Sequence, residues 1–594
     1  MKRARSIVIA AAQTAPVTAV GPRPIGQKGN GMARREFLGV LSAMVCLSPV
    51  VAAVGETPQA ASQPTRTAPI RIVVKNEVLN RVHDELFGQF MERAYGGELG
   101  VEAGVDQATG KLQPGVQKLL SGMRIPLVRF PGGTAVDYRE WTEMVDGIPG
   151  RPGPRPTTKV KDREYTNRFG YDEFLRLAET DGWATDIVLN FREGLLGVKP
   201  LAEAVAHQAK LVAYCNAPVD ANLPKELVEF AKLRAANGHE KPYGVKYFQI
   251  GNETWYFEGA VKKIEPKDPT GHWVKCLGEY IKMIRAIDPK ARIIVDANPP
   301  AVAAAIHPEF GKAVFAYAWH QYRPSGIREI RKDGKLVDAS TLSDRDVWNA
   351  WVIVPLADAD GQSVQKDECF ERARRLGFKV ALTEWNWNGG WWGHKQRPVA
   401  LDSLLAKGVG TGSFLNAIMR NGKFIPLATQ SMLVGNAWDI TAIHADPKGQ
   451  EAPYMGPMAM VTMLYSQHHG SQRLAVALEN MPFFEQPYDL NMLSWKKVAA
   501  VDVVCTRSDK ALFVHMVNRQ FDSPLAVEVD ASSLAAGGAT ATLHVMTGRL
   551  ENKPPPGEPR CPTRIDAKTV PVSAAKVSVE LPRRSVAVLE IPLK

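Results

Sequence analysis

Between Leu86 and Leu433 the chain carries eight short apolar runs, most of them separated by stretches whose apolar residues recur at helical spacing. The runs are Leu86–Phe90, Leu127–Phe130, Ile187–Asn190, Val245–Ile250, Ile293–Asp296, Ala316–His320, Val380–Thr383 and Leu427–Leu433. Leu201, Val205, Gln208 and Val212 mark one intervening helix; Tyr171 to Thr180 and Trp273 to Ile287 mark two others. Strand and helix in alternation define an α/β class. Eight such units in about 360 residues predict a (β/α)8 TIM barrel with insertions, although a doubly wound sheet gives the same alternation. The basic, Pro- and Gly-rich stretch Gly147 to Arg163 reads as a long surface loop. Past about His444 the pattern changes. Leu512–Asn518, Leu525–Val529, Ala541–Met546, Val577–Leu581 and Ser585–Ile591 are short strands divided by turn residues, which predicts a C-terminal β-sandwich, jelly-roll-like.

At 594 residues, 45% hydrophobic and 23% charged, the chain matches soluble globular proteins and excludes a disordered, collagenous or many-span membrane protein. The net charge of +11 is uneven: residues 1–55 hold seven Lys/Arg and one acid, so +6 sits there and +5 on the rest. The body is nearly balanced, which argues against a nucleic-acid partner. Arg34-Arg35-Glu36-Phe37-Leu38-Gly39, the apolar run Val40 to Val54 and the small-residue site Val51-Ala52-Ala53 have the layout of an export signal of twin-arginine type. The run is too short and interrupted to span a bilayer. The expected organisation is a signal peptide over 1–53, a disordered linker over 54–69, an N-terminal strand joining the sandwich over 70–83, the barrel over 84–443 and the sandwich over 444–594. Export would end in the periplasm or outside the cell. Six cysteines, Cys46, Cys215, Cys276, Cys369, Cys505 and Cys561, show neither a disulfide framework nor zinc-ligand spacing and read as isolated thiols. His468 and His469 are adjacent and point in different directions, which argues for a loop rather than a metal site. No metal or organic cofactor is implied, and the glycines are scattered rather than spaced after a strand as a nucleotide fingerprint requires.

Two acids stand at the C-terminal ends of expected barrel strands, the end that forms the active face of such barrels. Glu253 follows Tyr247-Phe248-Gln249-Ile250-Gly251-Asn252, and Glu384 follows Val380-Ala381-Leu382-Thr383. Glycosidic cleavage needs such a pair: one acid protonates the leaving oxygen, and one carboxylate attacks or activates water. Two ordinary loop glutamates would read the same way. Trp385, Trp387, Trp391 and Trp392 crowd Glu384, and Trp255 and Tyr256 follow Glu253. Such rings stack on sugars or pack a core.

From about Arg71 to the C-terminus the sequence resembles glycoside hydrolase family 51, the α-L-arabinofuranosidases. The resemblance rests on ordered motifs: Phe87-Gly88-Gln89-Phe90-Met91-Glu92, Val128-Arg129-Phe130-Pro131-Gly132-Gly133, Phe169-Gly170-Tyr171-Asp172-Glu173-Phe174, Ile250-Gly251-Asn252-Glu253, His320-Gln321-Tyr322, Thr383-Glu384-Trp385-Asn386, and Asp402-Ser403-Leu404 with Gly408. It implies a retaining hydrolase with Glu253 as general acid/base, Glu384 as nucleophile and carboxyls about 5–5.5 Å apart. Arg129 would pair with Glu384, Asn252 would bind the sugar 2-hydroxyl, and His320 and Tyr322 would support the carboxylates. Glu92 and Asn190 would bind further hydroxyls. The implied partner is a carbohydrate, and a homo-oligomer is admitted. The sequence departs from the family at Thr383, where Asp is usual, at Thr134, where Asn is usual, and at Arg93 after Glu92, where His is usual. The glutamine of the last strand falls at Met432 unless Gln430 replaces it by a shift. These departures weaken the arabinofuranose assignment more than hydrolysis. They leave open another specificity (xyloside, uronide or endo-cleaved glycan) and, further off, a carbohydrate-binding barrel without catalysis.

Overall fold

In the computed structural model of the chain, which describes residues 68–95, 99–160, 163–297, 300–322, 329–352, 373, 375–387, 403–436, 440–490, 496–534 and 536–594, eight strands close into a barrel. They are Gly88–Phe90, Leu127–Phe130, Ala184–Leu189, Tyr247–Ile250, Arg292–Val295, Val314–Tyr322, Val380–Asn386 and Leu427–Ser431. Every neighbouring pair is parallel. This excludes the doubly wound alternative. The expected signal peptide, the linker up to residue 67, Cys46, Cys369, Trp391, Trp392 and Asp402 lie outside the described residues. No helix among the described residues is long and apolar enough to cross a membrane.

Strand alternation builds the barrel interior in layers. Leu127, Tyr247, Ile294, Ala316, Ala318, Ala381 and Leu427 form a closed apolar cluster. Two residues further along the strands the inward positions turn polar: Arg129, Asp186, Gln249, Asp296, His320 and Thr429, with Ser431 two beyond Thr429. The lower layer seals the barrel, and the upper one faces the C-terminal rim. Val128, Phe130, Phe248, Ile250, Ile293, Val295, Val380 and Leu382 point outward into the core shared with the helices. The helix Leu404–Arg420 is buried along its whole length, because it lies between the barrel and the sandwich.

The C-terminal region is one nine-stranded sheet, into which the N-terminal strand Ile70–Arg81 inserts between Gln472–Glu479 and Leu525–Asp530. Apolar residues of all nine strands share one core, so the sheet curls over itself. Its strand Ala511–Asn518 is buried at every position. Leu512, Val514 and Met516 face the inner core while Phe513 and Val517 join the core of the barrel.

Two sequence expectations are corrected. Gly147 to Arg163 is not a plain surface loop. Thr157–Val160 pairs with Arg163–Thr166, and Arg155 is buried, held by Asp146, Glu173 and the carbonyls of Asn167 and Arg168. A cation that finds this many acceptors can be buried despite the polar, Pro-rich sequence around it. The sandwich also does not start at 444. The eighth barrel helix, Pro457–Gln467, comes first, and the first long sheet strand of this region starts at Gln472. That helix buries residues on several sides, so no amphipathic stripe marks it in the sequence.

Barrel and sheet are tied by a buried ionic triad. Asp502 of the strand Val501–Arg507 accepts from Arg420, at the end of the helix Leu404–Arg420, and from Arg519 Nη2 at 2.9 Å. Burial alone would raise the Asp502 carboxyl, but the two guanidiniums outweigh it and hold it below its ordinary value. Replacing Asp502 by Ala leaves two buried guanidiniums without their shared carboxylate. The expected loss is about 3–5 kcal/mol of unfolding free energy. The exposed Glu279–Lys282 pair serves as control, with less than about 1 kcal/mol expected on removal. Denaturant titration of both variants measures the contrast, and equal, small losses would remove the triad from this role.

Candidate active site

Glu253 and Glu384 reach the barrel mouth by two different local devices. Glu253 lies three residues past the fourth strand in the left-handed region, φ +47° and ψ +41°, which non-glycine residues rarely adopt. Such a conformation costs on the order of 1–3 kcal/mol and persists only where its surroundings impose it. Gly251 precedes it at φ +84°, and a Cβ there would stand 2.8 Å from Thr254 Cγ2. Thr254 Oγ1 in turn donates to the Asp296 carbonyl at 3.1 Å, so the fifth strand fixes the turn.

Glu384 depends on a β-bulge. Leu382 pairs with Trp319 and Glu384 with His320, so one residue, Thr383, is extra on the seventh strand. The same offset appears against the eighth strand. Ala381 points into the barrel and Leu382 out. Strict alternation would then send Glu384 outward, and the bulge reverses the parity. Trp385 consequently turns outward and stacks on Phe414 at 4.9 Å. Trp387 is buried against the same helix, where a Cβ at Gly410 would meet its Nε1 at 2.4 Å. Both tryptophans are core residues. Thr383 Oγ1 is buried with no hydrogen-bond partner among the described residues.

Arg129, fully buried, organises the pair. Its Nη1 donates to Glu384 Oε1 at 2.9 Å, its Nη2 to Asn252 Oδ1 at 2.7 Å and its Nε to Gln249 Oε1 at 3.0 Å. Its guanidinium also lies over the Phe90 ring, 4.5 Å from the centroid. Tyr322 OH donates to Glu384 Oε2 at 2.8 Å and lies 2.8 Å from Ser431 Oγ. His320 Nδ1 is 3.0 Å from Glu253 Oε1 and 3.4 Å from Glu384 Oε2. One carboxylate oxygen from each glutamate and a His320 nitrogen lie within 4.8 Å of one another, close enough to share a cation as well as hydrogen bonds. Burial pushes the Glu253 carboxyl up; the hydrogen bond from His320 opposes this and the charge of Glu384 adds to it, and the net shift is upward. Burial lowers the His320 imidazole, but Glu384 and Glu253 outweigh it, and its net shift is also upward.

The remaining expected residues sit at the same rim. Asn252 is buried, and its Oδ1 accepts from Arg129. Glu92 follows the first strand, with its carboxylate packed on Gly133: a Cβ there would stand 1.8 Å from Glu92 Oε1, and Gly133 has φ +64°. Arg93 turns away into a buried pair with Glu102. Asn190 ends the third strand, but its Oδ1 accepts from Glu193 N at 3.2 Å, capping the short helix Arg192–Leu195. Trp255 packs edge-on against His320 at 5.5 Å, and Tyr256 beside it is 73% exposed. Gln430 does not replace the missing glutamine. It points outward, where it accepts from Thr462 of the eighth helix at 2.8 Å.

Four contributors escaped the sequence reading. Gln249 and Ser431 occupy inward positions that the alternation from Tyr247 and Leu427 does mark. The Thr383 bulge leaves no sequence signal. Asp186, the strand partner of Arg129, is fully buried with neither carboxylate oxygen bonded among the described residues. Burial pushes it up to about 7. In acid it is neutral and leaves the charge of Arg129 to Glu384.

Residues 119–323 match the family model of the α-L-arabinofuranosidase 1 domain. A probable α-L-arabinofuranosidase C of Aspergillus niger is 34% identical over 221 residues, 36% of this chain and 39% of that protein. The intracellular exo-α-(1→5)-L-arabinofuranosidase 1 of Bacillus subtilis is 27% identical over 309 residues, 47% of this chain and 58% of that protein. The chain thus matches well under two thirds of these relatives' lengths. The GH51 α-L-arabinofuranosidase structure from Thermotoga petrophila superposes with a TM-score of 0.62 at 22% identity, covering 88% of this chain and 99% of that one, a likeness of fold. Over residues 119–323 the chain is similar in sequence to the α-L-arabinofuranosidase 1 domain, and over most of its length it shares the fold of a family 51 α-L-arabinofuranosidase.

Proposed function

We propose that the protein is a retaining glycoside hydrolase that removes α-L-arabinofuranosyl residues from polysaccharide or oligosaccharide by double displacement. The observation that carries this reading is the approach of a Glu253 and a Glu384 oxygen to within 4.8 Å. Retaining pairs stand about 5–5.5 Å apart, whereas inverting pairs need roughly 6.5–9.5 Å to admit a water. The arabinofuranosidase relatives supply the sugar.

Each residue then has a task. Arg129 and Tyr322 hold and aim the Glu384 carboxylate, and its free electron pair attacks the anomeric carbon. Glu253, kept protonated by burial and by the Glu384 charge, gives its proton to the departing glycosidic oxygen. Once Glu384 carries the sugar its charge is gone, and Glu253 becomes the base that takes a proton from the attacking water. The water breaks the ester and restores Glu384. Asn252 Nδ2 donates to the sugar 2-hydroxyl, a bond that strengthens in the oxocarbenium-like transition state. Glu92 binds a hydroxyl at the rim. Asn190 does so less directly, because its amide oxygen is already engaged. The paired arginines before an apolar run support export of the enzyme, to the periplasm or beyond.

A second reading keeps the mechanism and changes the sugar. Thr134, Thr383 and Met432 depart from the family, and Gln430 faces away from the site. These favour a xyloside, a uronide or an endo-cleaved glycan. A panel of aryl glycosides decides: fastest turnover of the α-L-arabinofuranoside supports the first reading, and preference for another sugar supports the second. In the same assay Glu253→Ala is expected to lose about 10²–10⁴-fold on poor leaving groups. Azide should restore turnover by forming the glycosyl azide. Undiminished activity in that variant would remove Glu253 from its role.

The pH profile gives an independent check. Glu253 must carry a proton to act, so kcat/KM falls as pH rises through its raised value. His320 holds that value down through its hydrogen bond and charge. His320→Asn is therefore expected to move the alkaline limb to higher pH. An unmoved limb, or one moved to lower pH, would show that His320 does not govern Glu253.

A further inference from the structure

We propose that His468, His544 and Glu590 form a zinc(II) site that clips the eighth barrel helix to the curled sheet, at a place that shares no residue with the catalytic trio. His468 is the first residue past the helix Pro457–Gln467. His544 lies in the strand Thr540–Gly548 and Glu590 in its neighbour Ser585–Pro592. In that antiparallel pair His544 faces Val588 and Thr542 faces Glu590. His544 and Glu590 are thus diagonal neighbours on one face, the face whose Val586 and Val588 join the barrel core.

The donor atoms converge. His468 Nδ1 lies 3.0 Å from Glu590 Oε2, His544 Nε2 lies 3.9 Å from the same oxygen, and one donor atom from each residue lies within 4.8 Å of the others. A tetrahedral zinc with bonds of about 2.0–2.1 Å sets its ligands roughly 3.3 Å apart. One edge already fits. The His544–Glu590 edge must close by about half an ångström, and the imidazoles, now stacked at 3.9 Å and 29°, must rotate to set the third edge, between their two nitrogens. All three side chains are partly exposed, at 22%, 16% and 34%, which gives an ion a path and leaves a fourth position for water.

The donor chemistry selects the ion. Two imidazole nitrogens and one carboxylate suit zinc, whereas calcium and magnesium seek sets made of oxygen. The ligands come from a helix end and two strands, with 122 positions between His468 and Glu590. A bound ion would therefore cross-link distant parts of the chain. His469 takes no part: its Nε2 is 3.0 Å from Asp84 Oδ1, on the other side of the helix end.

The test uses the full chain, stripped with a chelator, dialysed and given zinc chloride alone. Elemental analysis should find one equivalent retained, Tm should rise, and calcium chloride should do neither. His544→Gln and Glu590→Gln should each weaken zinc binding at least tenfold and abolish the rise in Tm, with activity of the metal-free protein unchanged. Glu253→Gln, which breaks the catalytic trio, should still retain zinc. Cobalt(II) in the unaltered chain gives a readout that needs no variant: intense visible bands of a tetrahedral ion support the site. Absence of retained zinc, retention in both Gln variants, loss in Glu253→Gln or weak octahedral cobalt bands would each overturn it.

Discussion

The guanidinium of Arg129 is the point on which the site is built. A fully buried cation is tolerated only where its N–H groups meet acceptors, and here those acceptors are Gln249 on the fourth strand, Asn252 just past it and Glu384 on the seventh. The same contacts that make the arginine tolerable fix the fourth and seventh strands at the rim. They also place one carboxylate under a full positive charge and leave the other without a guanidinium. Two glutamates of the same chemistry thereby acquire different surroundings: Glu384 is bound to the guanidinium, while burial and the charge of Glu384 push the Glu253 carboxyl up. Asp186 below, largely neutral in acid, takes no part of that charge.

The scaffold below the rim is ordinary by comparison. An apolar layer closes the barrel, and the polar layer above it is reached by moving two residues along most strands. The two glutamates break this regularity, one by a left-handed backbone and one by a bulge. The deviations fall at Glu253 and immediately before Glu384, and neighbours hold both: Thr254, bonded to the Asp296 carbonyl past the fifth strand, for Glu253, and Arg129 and Tyr322 for Glu384.

The barrel was legible in the sequence because its strands are short, apolar and regularly interrupted, and because their C-terminal ends carry unusual polar residues. Glu253 and Glu384 could be found that way, and Arg129 through the resemblance of its motif. What stayed hidden has physical reasons. A bulge is a matter of register between strands, so nothing in Val380 to Glu384 announces that Thr383 is the extra residue. Trp385 and Trp387 read equally well as sugar platforms or as core until the bulge settles which way they point. Arg155 sits in a polar, Pro-rich stretch and is buried by partners that are distant in sequence. The eighth helix is covered on several sides by the sheet and by the helix Leu404–Arg420, so its apolar residues show no stripe. Asn190 was placed by its strand end, and only the folded structure shows its side chain spent on a helix cap.

The account rests on Glu384 attacking the sugar directly, with no water between. Proton NMR of the first product formed in the presence of methanol tests this most directly. The account predicts a methyl glycoside with the anomeric configuration of the substrate. A product of inverted configuration would contradict it.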